Sequence, residues 1–397
     1  MAVSYITTTY LNNAGRGILS IYLMNLMGPT ETGTLAAKMA PFIFVSMLAT
    51  AFSAECFIRG SRRRIFGYRD RVASLLMDTL YLVGGLAYVL AQYSCFQHTR
   101  IDLLLSCILI GTAFGQISFN HLIDSKAWTY IAIANVGEIV LHAALLTIWF
   151  RNDPADQFIL LAFSRWLFLN ILNAVFIIRK GEISVRYARK RAIKYITHLR
   201  WIFTATRPDH LVNLSLKTLW TTMDVYLIST FWTASDAGSY RFVKSLGGLP
   251  ALVLAPMWTV QRTKILADWD RALGSGLMRF KTILWFAFRF TLPLPAFIFT
   301  IYMLHDKLDI LNASAYQLTV GAVLGFSMWW LAVSMFGWGR FLMVSLGQFT
   351  AGNIQNLLIV FLALSLVPLS EFIDPQVAIP TVVFMSNFVF AYYLIKK

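Results

Sequence analysis

Charge is scarce in this chain. Only 13% of its 397 residues are Asp, Glu, Lys or Arg, about half the share in a soluble globular protein. Acids are the rarer kind, 19 against 34 Lys plus Arg. With 58% hydrophobic residues and a mean hydropathy of +0.63, this excludes a water-soluble enzyme of two or three domains. Cysteine is equally sparse. Cys56, Cys95 and Cys107 lie in or beside apolar stretches, at spacings that suit no metal site and in a number too small for a disulfide framework. The N-terminus lacks the basic-then-apolar layout of a cleaved signal peptide.

What the chain has instead is long apolar runs. A bilayer-crossing helix needs about 20 mostly apolar residues. Twelve such stretches fall roughly at 3–27, 34–58, 73–94, 103–123, 128–150, 158–178, 210–232, 238–261, 282–304, 314–336, 347–369 and 376–395. A transmembrane barrel would show segments of about 10 residues alternating in polarity; continuous runs such as 357–367 do not. The expected class is therefore an all-α polytopic membrane protein with twelve spans.

The net charge of +15 would suggest nucleic acid in a soluble protein; in a membrane protein it is first an orientation signal. Twenty-four cations fall in alternate connections: the loop after span 2 (Arg59 to Arg71), the 179–209 segment, the loop after span 8 (Arg262 to Lys281), Lys126, Arg340, Lys396 and Lys397. The other side holds only Arg100, Arg151 and Lys307. Both termini are thus expected in the cytoplasm. External loops are short, the longest running from about 305 to 313. The 179–209 link reads as a basic amphipathic helix on the inner leaflet. It divides the chain into a first six-span lobe, 1–178, and a second, 210–397.

The halves echo each other. Span 1 leads through Met27-Gly28-Pro29-Thr30-Glu31-Thr32-Gly33 to span 2 and Lys38. Span 7 leads through Trp232-Thr233-Ala234-Ser235-Asp236-Ala237-Gly238 to span 8, with Arg241 and Lys244. In each, an acid two residues before a glycine closes the turn, and a cation follows within two helical turns.

Seven cations lie inside spans: Arg16, Lys38, Arg165, Lys217, Arg241, Lys244 and Arg289. Four acids do so too: Glu55, Asp78, Glu138 and Asp224. Each costs about 2.5–3.5 kcal/mol or more at the membrane centre, so such groups pair or face a wet cavity. Arg165, Glu55 and Asp78 sit near span ends and can snorkel. The rest leave a surplus of cations, which favours an anionic ligand such as a phosphate or carboxylate. Asp224 and Lys244 lie at similar depth on consecutive spans and can pair directly. Glu138 and His142, one turn apart in span 5, suit either a proton site or a structural pair. Asn12 and Asn13 flank Arg16. Gln348, Gly352 and Gln355 form a polar stripe, as do Asn170 and Asn173; interhelical hydrogen bonding explains some of these. Pro250, Pro256, Pro293 and Pro295 put bends in spans 8 and 9. No catalytic or metal-ligating set and no cofactor motif is found.

Asp224-Val225-Tyr226-Leu227-Ile228-Ser229, Ala237-Gly238-Ser239-Tyr240, Leu249-Pro250 and Ala255-Pro256 resemble the span 7–8 signature of the polysaccharide-transporter flippases, within the multidrug/oligosaccharidyl-lipid/polysaccharide exporter superfamily. The stretch 23–33 looks like that family's first external turn, with Asn25 in place of its usual arginine and Thr32 in place of its aromatic. The resemblance implies two six-helix lobes around a central cavity. It implies alternating access that moves an undecaprenyl-diphosphate-linked oligosaccharide (O-antigen, capsule or exopolysaccharide repeat) across the bacterial cytoplasmic membrane. Expected partners are that substrate, membrane lipids, a polysaccharide polymerase and a chain-length regulator. Arg16, Lys38, Arg241 and Lys244 are the expected headgroup contacts, with Lys217 and Arg289 deeper. Asp224 would hold Lys244 until substrate displaces it. The competing readings are a peptidoglycan-precursor flippase, which shares nearly all these arguments, and a membrane-embedded polymerase or glycosyltransferase. The short external loops disfavour the latter. A drug or cation exporter would want a net acidic cavity.

Overall fold

The structure, a computed structural model, describes residues 2–48, 127–148, 154–180, 208–260, 267–271, 275–291, 320–346 and 349–396, with the single positions 83, 119, 122 and 316. Residues 181–207 of the basic 179–209 link, nearly all of spans 3 and 4, Glu55, Asp78 and the 305–313 loop lie outside the described residues. Among the described residues there is no strand. The helices are α1 Ala2–Leu48, α2 Trp128–Ile148, α3 Pro154–Lys180, α4 Pro208–Thr222, α5 Asp224–Phe231, α6 Ala234–Val260, α7 Gly276–Thr291, α8 Val320–Leu346, α9 Phe349–Ser365 and α10 Pro375–Lys396. A 3₁₀ turn, Val367–Leu369, joins the last two.

α1 covers expected span 1 and the described part of expected span 2, up to Leu48, and is broken at Gly28, whose φ of 75° and ψ of 171° are not helical. An L side chain rarely adopts that φ, so glycine supplies the break.

The described chain forms two compact units. The first comprises Met1–Asn12 with Pro41–Thr218, the second Asn13–Ala40 with Leu219–Lys397. In the first, α2 packs on α3, with Tyr130 edge-on to Phe176 at 5.1 Å and Ile131, Ile159 and Leu169 buried. In the second, α6 packs on α8 and α8 on α10.

Polarity in these helices is turned inside out. On α9, Gln355 and Asn356 are buried while Leu357, Phe361 and Leu364 are exposed. On α2, Asn135 and Glu138 are buried while Ile133, Val136 and Val140 are exposed. In water such apolar stripes would drive aggregation; against hydrocarbon they are the favourable surface. Phe349–Leu369 and Pro375–Tyr393 are also long and apolar enough to cross a bilayer.

Close helix crossings rest on glycine. A β-carbon at Gly247 would collide with the Trp329 β-carbon, so α6 and α8 meet there backbone to side chain. Gly247→Val is expected to cost roughly 1–3 kcal/mol by overpacking, read as a lower thermal midpoint of the purified protein. An unchanged midpoint would show that the two helices do not touch at this point.

Three boundaries differ from expectation. Span 7 is two helices, α4 and α5. α7 begins at Gly276, so Arg279 and Lys281 lie in its first turns and not in a loop. α8 runs on to Leu346, which puts Arg340 within a helix. It survives Gly337 and Gly339 because the bare α-carbon of Gly339 lets the Phe390 ring of α10 approach. Pro250 and Pro256 both lie within the continuous α6. Proline lacks the N–H that would satisfy the carbonyl four residues back. At Pro256 that carbonyl belongs to Leu252, and Asn13 Nδ2 donates to it at 2.6 Å.

Candidate functional site

The second unit holds a buried ionic cluster around Asp224, and the local sequence explains why it forms. Thr221-Thr222-Met223-Asp224 is a poor helix interior, because Thr and Asp side chains compete for backbone hydrogen bonds. The helix bends at Met223 (φ −88°, ψ −6°), and Asp224 opens α5. A carboxylate at a helix start is favoured by the macrodipole. Its Oδ1 accepts the Val225 N–H at 2.9 Å. In an unbroken helix that N–H would serve the Thr221 carbonyl. Here the Thr221 carbonyl accepts Lys244 Nζ at 2.7 Å.

Asp224 Oδ2 accepts from two donors, Lys244 Nζ at 2.5 Å and the Tyr240 hydroxyl at 2.5 Å. Tyr240 and Lys244 are four apart on α6 and so share a face. The ammonium also lies 5.5 Å from the Trp329 ring and 5.8 Å from that of Tyr240, both within cation–π range. Trp329 stacks on Trp220 at 6.3 Å, and Trp220 Nε1 donates to Asn356 Oδ1 at 2.9 Å. Lys244 therefore has a carboxylate, a carbonyl and two aromatic rings around it. Arg241, one turn away, keeps a buried Nε with no hydrogen-bond partner, and Trp329 Nε1 is in the same condition. The cluster has two cations to one acid and donors to spare.

The first unit holds a second buried polar cluster. Thr9 and Asn12 project from α1, Asn135 and Glu138 from α2, each pair at a three-residue spacing that shares a face. All four are at most 3% exposed. Asn12 Nδ2 donates to Glu138 Oε2 at 2.7 Å and to Asn135 Oδ1 at 3.2 Å. Asn135 Nδ2 donates to Thr9 Oγ1 at 3.0 Å. Asn12 Oδ1 has no hydrogen-bond partner. The set is rich in oxygen atoms and can hold a proton or a small cation. Glu138 is thus held by Asn12; His142 lies in α2, its side chain outside the described residues.

The other expected site residues are spread out. Arg16 on α1 and Lys217 on α4 are half-buried, and both have interaction partners. Lys38 is exposed on the second limb of α1. Arg289 lies in α7 and Arg165 in α3, with side chains outside the described residues. Of the polar stripes, Gln355 Nε2 donates to Asn387 Oδ1 at 2.6 Å, a helix–helix bond between α9 and α10. The described residues contain no group of three or more His, Cys, Asp or Glu able to hold a metal.

Sequence reasoning missed Tyr240, Trp329, the Thr221 carbonyl, and Asn12 and Asn135 as holders of Glu138. Tyr240 was accessible from its four-residue spacing to Lys244. Trp329 carried no signal, because one tryptophan in an apolar run looks like any other.

No family sequence model and no curated protein sequence matches the chain. Solved structures do. An inward-facing multidrug-resistance MATE family transporter of the MOP superfamily aligns at 13% identity with a TM-score of 0.50, over 100% of this chain and 97% of the other. A eukaryotic MATE transporter aligns at 13% and 0.51, over 99% and 93%. A MATE structure in complex with MaL6 aligns at 13% and 0.52, over 98% and 94%. Identity this low speaks to fold and not to cargo. The chain has the fold of these MATE transporters.

Proposed function

We propose that this protein is a flippase of the bacterial cytoplasmic membrane. It carries an undecaprenyl-diphosphate-linked oligosaccharide from the inner to the outer leaflet by alternating access, with both termini in the cytoplasm. The observation that carries the reading is the excess of positive donors at Asp224. Arg241 and Lys244 face one carboxylate, and the Arg241 Nε is buried with no acceptor. A diphosphate or an acidic sugar supplies the missing acceptors, and charge-assisted hydrogen bonds of this kind are the strong ones. Arg16, Lys38, Lys217 and Arg289 extend the cationic path. The lipid tail stays in hydrocarbon while the polar head crosses about 30 Å of membrane inside the protein.

The chemistry is transfer between compartments, with no bond made or broken. Glu138, in its nest of Asn12, Asn135 and Thr9, is the group through which an ion gradient drives the cycle; His142 belongs to the same helix. A polysaccharide polymerase and a chain-length regulator receive the exported unit.

Deleting the protein is expected to accumulate a lipid-linked glycan on the cytoplasmic leaflet and to remove surface polysaccharide. Arg241→Gln and Arg16→Gln are expected to insert normally yet fail to restore export. Accumulation of a lipid-linked muropeptide would point to a peptidoglycan-precursor flippase. Single repeats stranded on the outer leaflet would point to a polymerase. Heightened sensitivity to cationic drugs, with no lipid-linked glycan, would point to a drug exporter and sink the flippase reading.

A further inference from the structure

The two sequence-related turns meet each other, and they meet reciprocally. A β-carbon added at Gly33 would collide with the Ala234 carbonyl oxygen; one added at Gly238 would collide with the Pro29 carbonyl oxygen. Residues 29 and 234, and 33 and 238, are each 205 positions apart. So i touches j′ and j touches i′, the signature of a local two-fold contact between like surfaces. At the same offset Thr30 matches Ser235, Glu31 matches Asp236 and Thr34 matches Ser239. The second limb of α1 and the start of α6 thus cross as two copies of one element, backbone against backbone. Small residues permit this close approach in membranes.

Tyr316 fastens the crossing. Its hydroxyl donates to the Met24 carbonyl at 2.7 Å and lies 2.7 Å from Thr32 Oγ1. Its ring stacks on Phe242 of α6 at 4.4 Å, the planes within 12°. Leu23, Met24, Thr32 and Ala237 around it are at most 1% exposed, so the crossing excludes water.

We propose that the Gly33–Gly238 crossing, latched by Tyr316, is the outer closure of the transport path. The proposal rests on the transporter reading above, in which this end of both elements faces outward, and it goes further in naming the seam that must part for release. The seam suits that task. Its closest contacts are between main chains across bare α-carbons, so no side chains need unthread as the two copies separate. Its polar fastening is one phenol, on the Met24 carbonyl and the Thr32 hydroxyl, strong enough to bias a closed state and weak enough to break in each cycle.

The test uses a cysteine-free background, with Cys56, Cys95 and Cys107 replaced by serine, carrying Ala237→Cys at the buried seam. A membrane-impermeant maleimide is applied outside intact cells that make no lipid-linked glycan. Thr34→Cys, at an exposed position, reports the fast limit. Ala237→Cys is expected to label far more slowly than Thr34→Cys. Tyr316→Phe removes the phenol's neutral hydrogen bonds to the Met24 carbonyl and the Thr32 hydroxyl and should speed its labelling about fivefold or more. Gly33→Leu should hold the seam open, with labelling near the fast limit and no further effect of Tyr316→Phe. If Gly33→Leu does not reach the membrane, Gly33→Ala replaces it, since its single methyl already meets the Ala234 carbonyl. Labelling of Ala237→Cys at the fast limit in the parent, or a rate untouched by Tyr316→Phe, overturns the proposal. So does Thr34→Cys labelling only from the cytoplasmic side. The assay needs no substrate, so a seam that fails here is distinguishable from a glycan that fails to accumulate on deletion.

Discussion

Asp224→Ala is expected to remove most of the folded protein from the membrane. The substitution leaves the Lys244 ammonium and the Tyr240 hydroxyl buried, with their shared acceptor gone. Stranding one member of a buried ion pair costs about 3–5 kcal/mol, a large part of what holds a protein together. Lys244→Met should be milder, because Asp224 keeps the Tyr240 hydroxyl and the Val225 N–H. The double variant Asp224→Asn with Lys244→Met should be the most stable of the three, since neither member of the Asp224–Lys244 ion pair is left stranded. All three should fail to export. The measurement is membrane-inserted yield and thermal midpoint alongside surface polysaccharide. If the order of stability is reversed, or if Asp224→Ala is as stable as the parent, the pair is not buried and the ionic cluster loses its structural basis. If the double variant exports normally, the cluster is a fastening of the fold and nothing more.

The pairing of Asp224 with Lys244 was legible because both charges sit at one depth on consecutive apolar runs. Helical rise alone set them side by side. What the sequence could not reveal was the helix break beneath them. Met223 is neither proline nor glycine, and Thr-Thr-Met-Asp also occurs in whole helices. The break exists because Asp224 takes the Val225 N–H while Lys244 takes the Thr221 carbonyl, a tertiary event written on two elements at once. The proline reading shows the opposite case. Pro256 carries a clear local signal, yet α6 stays continuous there because Asn13, 243 positions away, replaces the lost donor. Boundaries failed for the same reason at Gly339, where a local breaker is outvoted by the packing of Phe390. The turns of the two halves were readable as a pair from their acid and glycine spacing. That they touch each other required coordinates, because a repeat in sequence does not say whether its copies stand apart or cross.

Glu138→Gln should leave the protein folded and its transport uncoupled. Glutamine keeps the shape and an oxygen able to accept from Asn12 Nδ2, so the loss of stability should stay near 1 kcal/mol. It cannot ionise. If Glu138 is the group that an ion gradient acts on, export should fall at least tenfold, about 1.4 kcal/mol in the driving step. The remaining rate should no longer respond to collapsing the proton or the sodium gradient. Asn12→Leu makes the complementary case. It removes the Nδ2 donor from a carboxylate that is 1% exposed, so stability and coupling should fall together, the former by about 1–3 kcal/mol. Export rate in membrane vesicles, measured with each gradient imposed and then dissipated, separates the two variants. A Glu138→Gln protein that still answers to both gradients would move the coupling site elsewhere. It would leave the Thr9–Asn12–Asn135–Glu138 nest as a means of burying polar groups on the one face of α2 that does not meet lipid.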